Sequence, residues 1–270
     1  MNHANDISGS VAIAHAFVRA RSEGRAMNDY PGMPPRTLDE AYAIQDAAIS
    51  IWPDHVAGWK LGRINAPHDT AFGAGRLAGP IFSRNIWMAG VTPTRVDIID
   101  GGFAAVEAEY VLELGETPAD RDDWTADTVA PLVARALTGI EIAGSPFAGI
   151  NDHGPAVTAS DFGNNAGLIL GQEIPDWKSR LSELTCEIEI SGVVVGTGGA
   201  ASIPNGPLDS LAFLLNLLNR RGHRLEAGQI VSTGAATGVH PIAIGQSATA
   251  DFGTDGQIHC AAFAMAGVPA

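Results

Sequence analysis

Residues 104–114, AAVEAEYVLEL, alternate apolar and polar side chains with a period of two, a pattern that suits an extended strand with one face on a core. The period recurs downstream. TCEIEISGVVVG (185–196) reads as two strands joined at Ser191-Gly192, and QSATADFGTDGQIHCAAF (246–263) as two more joined near Asp255-Gly256. The chain beyond about residue 100 is therefore expected to be a β-rich body. The 32 glycines and 16 prolines scattered over 270 residues argue for many turns and against a bundle or coiled coil.

Two helices stand out. Thr37 and Glu40 form a T-x-x-E start, Leu38, Ala41, Tyr42, Ala48, Ile49 and Trp52 share a face interrupted at Gln45, and Pro53 ends the run. Ile44 and Ile51 lie off that face, which predicts burial on more than one side. The second helix begins with Pro207, carries Leu208, Leu211, Leu215 and Leu218 on one face, and stops at Gly222. Between them, glycines at 58, 62, 73, 75 and 79 predict loops or short strands that let the backbone approach something closely.

With 16 basic against 30 acidic residues the formal charge is -14, which disfavours nucleic acid and anionic membranes as partners. No apolar stretch reaches the roughly 18 residues of a membrane span, and the expectation is a soluble, cytoplasmic protein. Cys186 and Cys260 sit in strand patterns and are expected to be buried, inert thiols. The eight histidines show no metal-ligand spacing. No nucleophile elbow, Walker A loop or dinucleotide fingerprint stands in the context it requires.

Glu107 and Glu109 point to one side of the predicted strand, with Cα atoms roughly 6.5–7 Å apart. Alone, the pair reads as a solvated strand face or as two ligands for a cation. Glu141 lies in the apolar run ALTGIEIAG, where a charge is costly to bury without a partner, and a cation would be such a partner. An all-oxygen set suits magnesium, manganese or calcium and argues against zinc. Glu113 shares the parity but lies about 20 Å from Glu107 along the strand and is set aside. Lys60, in GWKLG, reads either as a snorkelling surface lysine or as a proton carrier whose pKa desolvation or a metal would lower.

The order and spacing of LDEAYAIQ (38–45), GWKLG (58–62), VEAEYVLEL (106–114), ALTGIEIAGS (136–145), SDFGNNAGLILG (160–171), NGPLDSLAFLLN (205–216) and LEAGQIVSTGAATGVHPIAIGQSATADFG (225–253) resemble the fumarylacetoacetate hydrolase superfamily. The likeness is to its 2-oxopent-4-enoate (2-hydroxypentadienoate) hydratase and 4-oxalocrotonate decarboxylase branch. That resemblance implies an α+β fold: a mixed, rolled, barrel-like β body over 76–270 behind a small helical segment over 1–75. It implies Mg2+ or Mn2+ on Glu107, Glu109 and Glu141, Lys60 as the catalytic group, and Asp161, Asn165, Thr233 and Gly234 as substrate contacts. Thr233 would bond the substrate carboxylate.

The implied activity is hydration of a 2-hydroxy-2,4-dienoate in the meta-cleavage catabolism of aromatic compounds. Decarboxylation of a 2-oxo-3-enedioate is the nearest alternative, and an inactive stabilising partner of a pathway enzyme the next; the family's members are usually homo-oligomers. Leu77-Ala78-Gly79 stands where many hydratases have an acidic residue, an aromatic and glycine, and Phe162-Gly163 follows Asp161 where Asn-Ala is usual. The first lysine after Glu141 is Lys178, which makes carbon–carbon hydrolysis a poorer expectation than hydration or decarboxylation.

Overall fold

The structure, a computed structural model, describes residues 3–266. The chain opens with two helices, α1 (His3–Glu23) and α2 (Leu38–Ile51), and continues as β1 (Val56–Arg63), β2 (Arg76–Phe82), β3 (Ile86–Met88), β4 (Thr94–Ile98), β5 (Phe103–Leu114), β6 (Val133–Ser145) and β7 (Asn165–Glu173). The remaining strands are β8 (Thr185–Ile190), β9 (Val193–Gly199), β10 (Ile230–Ala235), β11 (His240–Pro241), β12 (Ser247–Asp251) and β13 (Gln257–Ala264).

These strands make two sheets in a mixed α/β fold. The larger, a curled half-barrel, runs β2-β1-β10-β5-β6-β7-β3 with β11 also paired to β5, and the smaller runs β4-β13-β12-β8-β9. The β5–β6 pair is its longest ladder, continuous from Phe103↔Ser145 to Glu113↔Arg135, with one register shift before Leu114↔Val133. Both hairpins read from the sequence are present, β8–β9 turning on Ser191 and Gly192 at positive φ. The sheets meet through Tyr110 and Phe252, whose rings stack edge to face with centroids 5.7 Å apart.

Thr37 caps α2 by accepting from the Glu40 amide, while the Glu40 carboxylate accepts from the Arg36 amide. Of the two residues expected to bury a second side of α2, Ile44 does so and Ile51 is exposed. Ala41 and Tyr42 pack into the main core, whereas Ile44 and Ala48 join Ile13, Ala14 and Phe17 of α1 against Phe82, Phe147 and Phe162. Gln45, the polar interruption, is fully buried; its amide donates to the Ala78 and Ala159 carbonyls and accepts from Arg221. The helix Pro207–Arg220 packs Leu211, Leu215 and Leu218 into the main core.

The glycine-rich stretch after residue 58 forms short strands joined by a loop: β1 and β2 pair antiparallel, with Lys60 opposite Gly79 and Gly62 opposite Leu77, and Gly73 and Gly75 lie in the connection. Its glycines do permit close approach: a Cβ on Gly79 would lie 2.0 Å from the Phe162 carbonyl oxygen. β1, on the N-terminal side of the boundary expected at residue 75, is an inner strand of the large sheet, bonded to β2 on one side and to β10 on the other. Cys186 and Cys260 are free and buried.

Candidate metal centre

Strand geometry brings the three acids together. Glu107 and Glu109 are two residues apart on β5, and Glu141 on β6 is the direct cross-strand partner of Glu107. One carboxylate oxygen from each lies within 4.8 Å of the others, and all three side chains are buried. Glu109 Oε2 accepts from Ser232 Oγ at 2.5 Å and from the Gly234 amide at 2.9 Å. Glu141 Oε1 accepts from Asn165 Nδ2 at 3.0 Å and pairs with Lys60 Nζ at 3.2 Å.

Those contacts leave the cluster underserved. Glu109 Oε1 and Glu141 Oε2 are buried without a hydrogen-bond partner among the described residues, and Lys60 is one cation against three acids. Burial and the charge of Glu141 push the Glu107 carboxyl up to about 8, although Lys60 pulls it down. Glu109 is raised well above its ordinary value by burial and by the charges of Glu141 and Glu107. A cluster that resists its own ionisation, with one oxygen of each acid gathered within 4.8 Å of the others, fits a hard divalent cation held by oxygen ligands.

Lys60 departs from the expected lowering of its pKa. Burial alone would push the ammonium down, but the charges of Glu141, Glu107 and Glu109 outweigh it and hold the group above its ordinary value. It is a buried cation, not a snorkelling lysine. Its Nζ also donates to Asn164 Oδ1 at 3.2 Å, and Asn164 Nδ2 donates to Asn151 Oδ1 at 3.2 Å, which gives the ammonium a polar path toward the cavity wall.

A cavity of about 880 Å³ opens beside this cluster, with Lys60, Glu107, Asn164, Thr233, Gly234 and Leu77 in its lining. The four expected substrate contacts divide. Thr233 and Gly234 face the cavity, but the Thr233 hydroxyl donates to the Tyr110 carbonyl at 2.6 Å and Gly234 gives its amide to Glu109. Asp161 lies outside the cavity lining, with both its oxygens taken by Arg21 at 2.6 and 2.9 Å and by Ser145 at 2.6 Å. The Asn165 amide donates to Glu141, and its neighbour Asn164 lines the cavity. Glu113, set aside on distance, is paired with Arg135 at 2.7 Å on the periphery.

Comparison with known proteins bears on the whole chain. No family profile matches it. A 2-oxo-hept-4-ene-1,7-dioate hydratase of Escherichia coli is 36% identical over 104 residues, 38% of this chain and 39% of that protein. A 4-oxalocrotonate decarboxylase of Pseudomonas putida is 25% identical over 249 residues, 88% of this chain and 89% of that one. The solved 4-oxalocrotonate decarboxylase from Pseudomonas putida G7, complexed with magnesium and adipate, superposes with a TM-score of 0.79 at 21% identity, covering 95% of this chain and 98% of that one.

What this chain is similar to is therefore the hydratase and decarboxylase branch of the fumarylacetoacetate hydrolase superfamily, and it shares the fold of the solved decarboxylase. Within that superfamily fold, sequence reasoning missed Ser232, Asn164, Asn151 and Arg76. Ser232 was within reach, because it neighbours Thr233 on a strand and is the parallel partner of Lys60. Arg76 was not, since its place at the cavity depends on its ion pair with Asp209, 3.0 Å away on the helix Pro207–Arg220.

Proposed function

We propose that this chain is a divalent-metal-dependent enzyme that acts on a small unsaturated 2-oxo acid, and that it hydrates a 2-hydroxy-2,4-dienoate to a 4-hydroxy-2-oxo acid. The convergence of Glu107, Glu109 and Glu141 beside Lys60 at a cavity carries this reading. The three glutamates would hold magnesium or manganese, which supplies Lewis-acid polarisation of the carboxylate and the 2-oxygen of such a substrate.

The chain's own residues account for the proton traffic. Ser232, the Gly234 amide and Asn165 hold Glu109 and Glu141 in fixed orientations, so the ligand set is organised before anything binds. Lys60 is a donor in its stable form and hands a proton to the carbon skeleton as the dienol becomes the 2-oxo-3-enoate, recovering one from the enol oxygen. Water then adds across the alkene, its hydroxyl to C4 and its proton to C3. Thr233 sits where it can accept or donate to a substrate oxygen once its bond to Tyr110 is shared.

One observation supports a second reading. Leu77 lines the cavity on the face of Lys60, and Ala78 is fully buried, so that wall has no acid to deliver water. Decarboxylation of a 2-oxo-3-enedioate needs no such group: the terminal C–C bond breaks, its electron pair runs through the conjugated chain to the 2-oxygen, and carbon dioxide leaves. The magnesium-loaded protein is to be given 2-hydroxypenta-2,4-dienoate and 2-oxohex-3-enedioate separately, following chromophore loss and carbon dioxide. Loss of the dienoate chromophore supports hydration. Carbon dioxide from the enedioate with a stable dienoate product overturns hydration in favour of decarboxylation, and turnover of neither overturns the assignment as an enzyme of this kind.

A further inference from the structure

We propose that Arg21 of α1 is a positioning residue for the candidate metal centre: its guanidinium clamps an irregular step in the β6–β7 ladder, and that step turns Asn165 onto Glu141. This role rests on the proposed use of Glu141 as a metal ligand. Along the two strands Glu141 stands opposite Leu168 and Ile142 opposite Gly167, but the next pair is Ala143 with Asn165, so Ala166 is an extra residue on β7. Side chains alternate faces along a strand, and a shift of one residue exchanges the faces. In unbroken register Asn165 would stand opposite Gly144 and point away from Glu141. The extra residue brings it to the face of Glu141, where its Nδ2 donates to Oε1 at 3.0 Å.

A bulge of this kind interrupts the ladder and leaves backbone groups in need of partners. Arg21 supplies the donors. Its Nη1 donates to the Asn165 carbonyl at 3.0 Å and its Nη2 to the Gly144 carbonyl at 2.8 Å, so one guanidinium bridges β6 and β7 beside the step. Its Nε and Nη2 donate to the two Asp161 carboxylate oxygens at 2.6 and 2.9 Å, and its guanidinium carbon lies 5.2 Å from the centroid of the Phe162 ring. Arg21 therefore grips residues on both sides of the turn through Phe162, Gly163 and Asn164, with all three nitrogens engaged and only 9% of the side chain exposed.

Docking of α1 does not call for this arrangement. Ile13, Ala14 and Phe17 gather with Phe82, Phe147 and Phe162 in one apolar cluster, which ties the helix down without a charge. A buried ion pair returns little net stability, because desolvation offsets the attraction. Lysine could neutralise Asp161, but it lacks the planar fork that reaches two carbonyls and a carboxylate at once. What the fork supplies is a pair of fixed donors on neighbouring strands, and the side chain they orient holds a buried carboxylate whose other oxygen, Glu141 Oε2, has no hydrogen-bond partner among the described residues. Groups that orient the ligands of a metal contribute about ten- to hundredfold to its affinity.

The test is Mn2+ alone, titrated into the full chain well below its melting temperature and read as free ion by electron paramagnetic resonance, with thermal melts of every variant in chelator. Asn165→Ala should bind Mn2+ about ten- to hundredfold more weakly than the wild type, and Arg21→Lys about tenfold more weakly. The double variant of Arg21→Lys with Asn165→Ala should bind no more weakly than Asn165→Ala alone, because Arg21 acts through Asn165. Arg21→Met combined with Asp161→Asn removes both charges at similar volume, and should weaken Mn2+ binding even where its melt matches the wild type. Arg180→Lys, which loosens the pair with Asp255 in the β12–β13 turn, should lower the melt and leave Mn2+ affinity unchanged. Wild-type affinity in either folded Arg21 variant, additive losses in the double variant, or failure of both Arg21 variants to fold overturns the positioning role and leaves Arg21 a tie for α1. A wild type that binds no Mn2+ overturns the proposed function together with this inference.

Discussion

Glu107→Gln should make the metal-free protein more stable and the metal-loaded protein inert. Glu107 is 3% exposed, and burial with the charge of Glu141 raises its carboxyl from 4.5 to about 8. An acid whose folded pKa exceeds its unfolded value weakens the fold as pH rises. Below about 4.5 both states hold the proton; between there and about 8 the unfolded chain ionises first; above about 8 the full penalty stands. At 1.36 kcal/mol per unit that penalty is roughly 5 kcal/mol. Glutamine escapes it, and because the pull of Lys60 is already inside that figure and the titration is shared among three interacting acids, the net gain is set at roughly 2–3 kcal/mol, about half the full penalty.

At about 2–4 °C per kcal/mol for a chain of this size, Glu107→Gln should melt roughly 5–10 °C above the wild type in chelator near pH 8.5. Near pH 5 the two should nearly coincide. Magnesium at about a hundred times its Kd adds about 2.7 kcal/mol to the wild type and should add far less to the variant, which has lost a ligand. Scanning calorimetry at both pH values, with chelator and with magnesium, reads all four cases. A variant less stable than the wild type at the higher pH in chelator, or one that gains as much from magnesium, refutes the reasoning.

Lys60→Met should lower kcat by about 10²–10⁴ in the magnesium-loaded protein while the fold survives, as steady-state turnover with circular dichroism would show. Arg21→Ala strips the buried Asp161 carboxylate of its cation and should cost about 3–5 kcal/mol, read as a lower urea midpoint at unchanged slope. Gly79→Ala would drive a Cβ to 2.0 Å from the Phe162 carbonyl oxygen and should cost about 3 kcal/mol or more, whereas Gly75→Ala, with nothing within 4 Å, should leave the melt unchanged.

The acids at 107, 109 and 141 were legible because strand periodicity is a strong signal and a carboxylate in ALTGIEIAG has few reasons to be there. Their register was not: nothing local pairs Glu141 with Glu107 rather than with a residue two places away, and that choice is made by the whole β5–β6 ladder. The fate of Lys60 was misread for a related reason. Desolvation of a lone ammonium depends on one segment, but the three charges that reverse its direction come from two other strands.

The segment SDFGNN shows why the partners of the neighbouring residues were not legible. Phe162, Gly163 and Asn164 have φ of 53°, 61° and 56°, three successive left-handed residues that no alternation rule describes. That turn seats Asn164 on Lys60 and sends Asn165 to Glu141, while Asp161 on the entry side meets Arg21 from α1. Two of those partners lie more than 100 residues away, so the composition of the segment cannot choose among them. The same turn carries its carbonyl against Gly79, which ties the shape of the Lys60 pocket to a glycine on β2. A side chain at 79 should therefore disturb Lys60 before it disturbs the metal ligands: where Gly79→Ala yields folded protein, magnesium should still raise its melting temperature although turnover is lost.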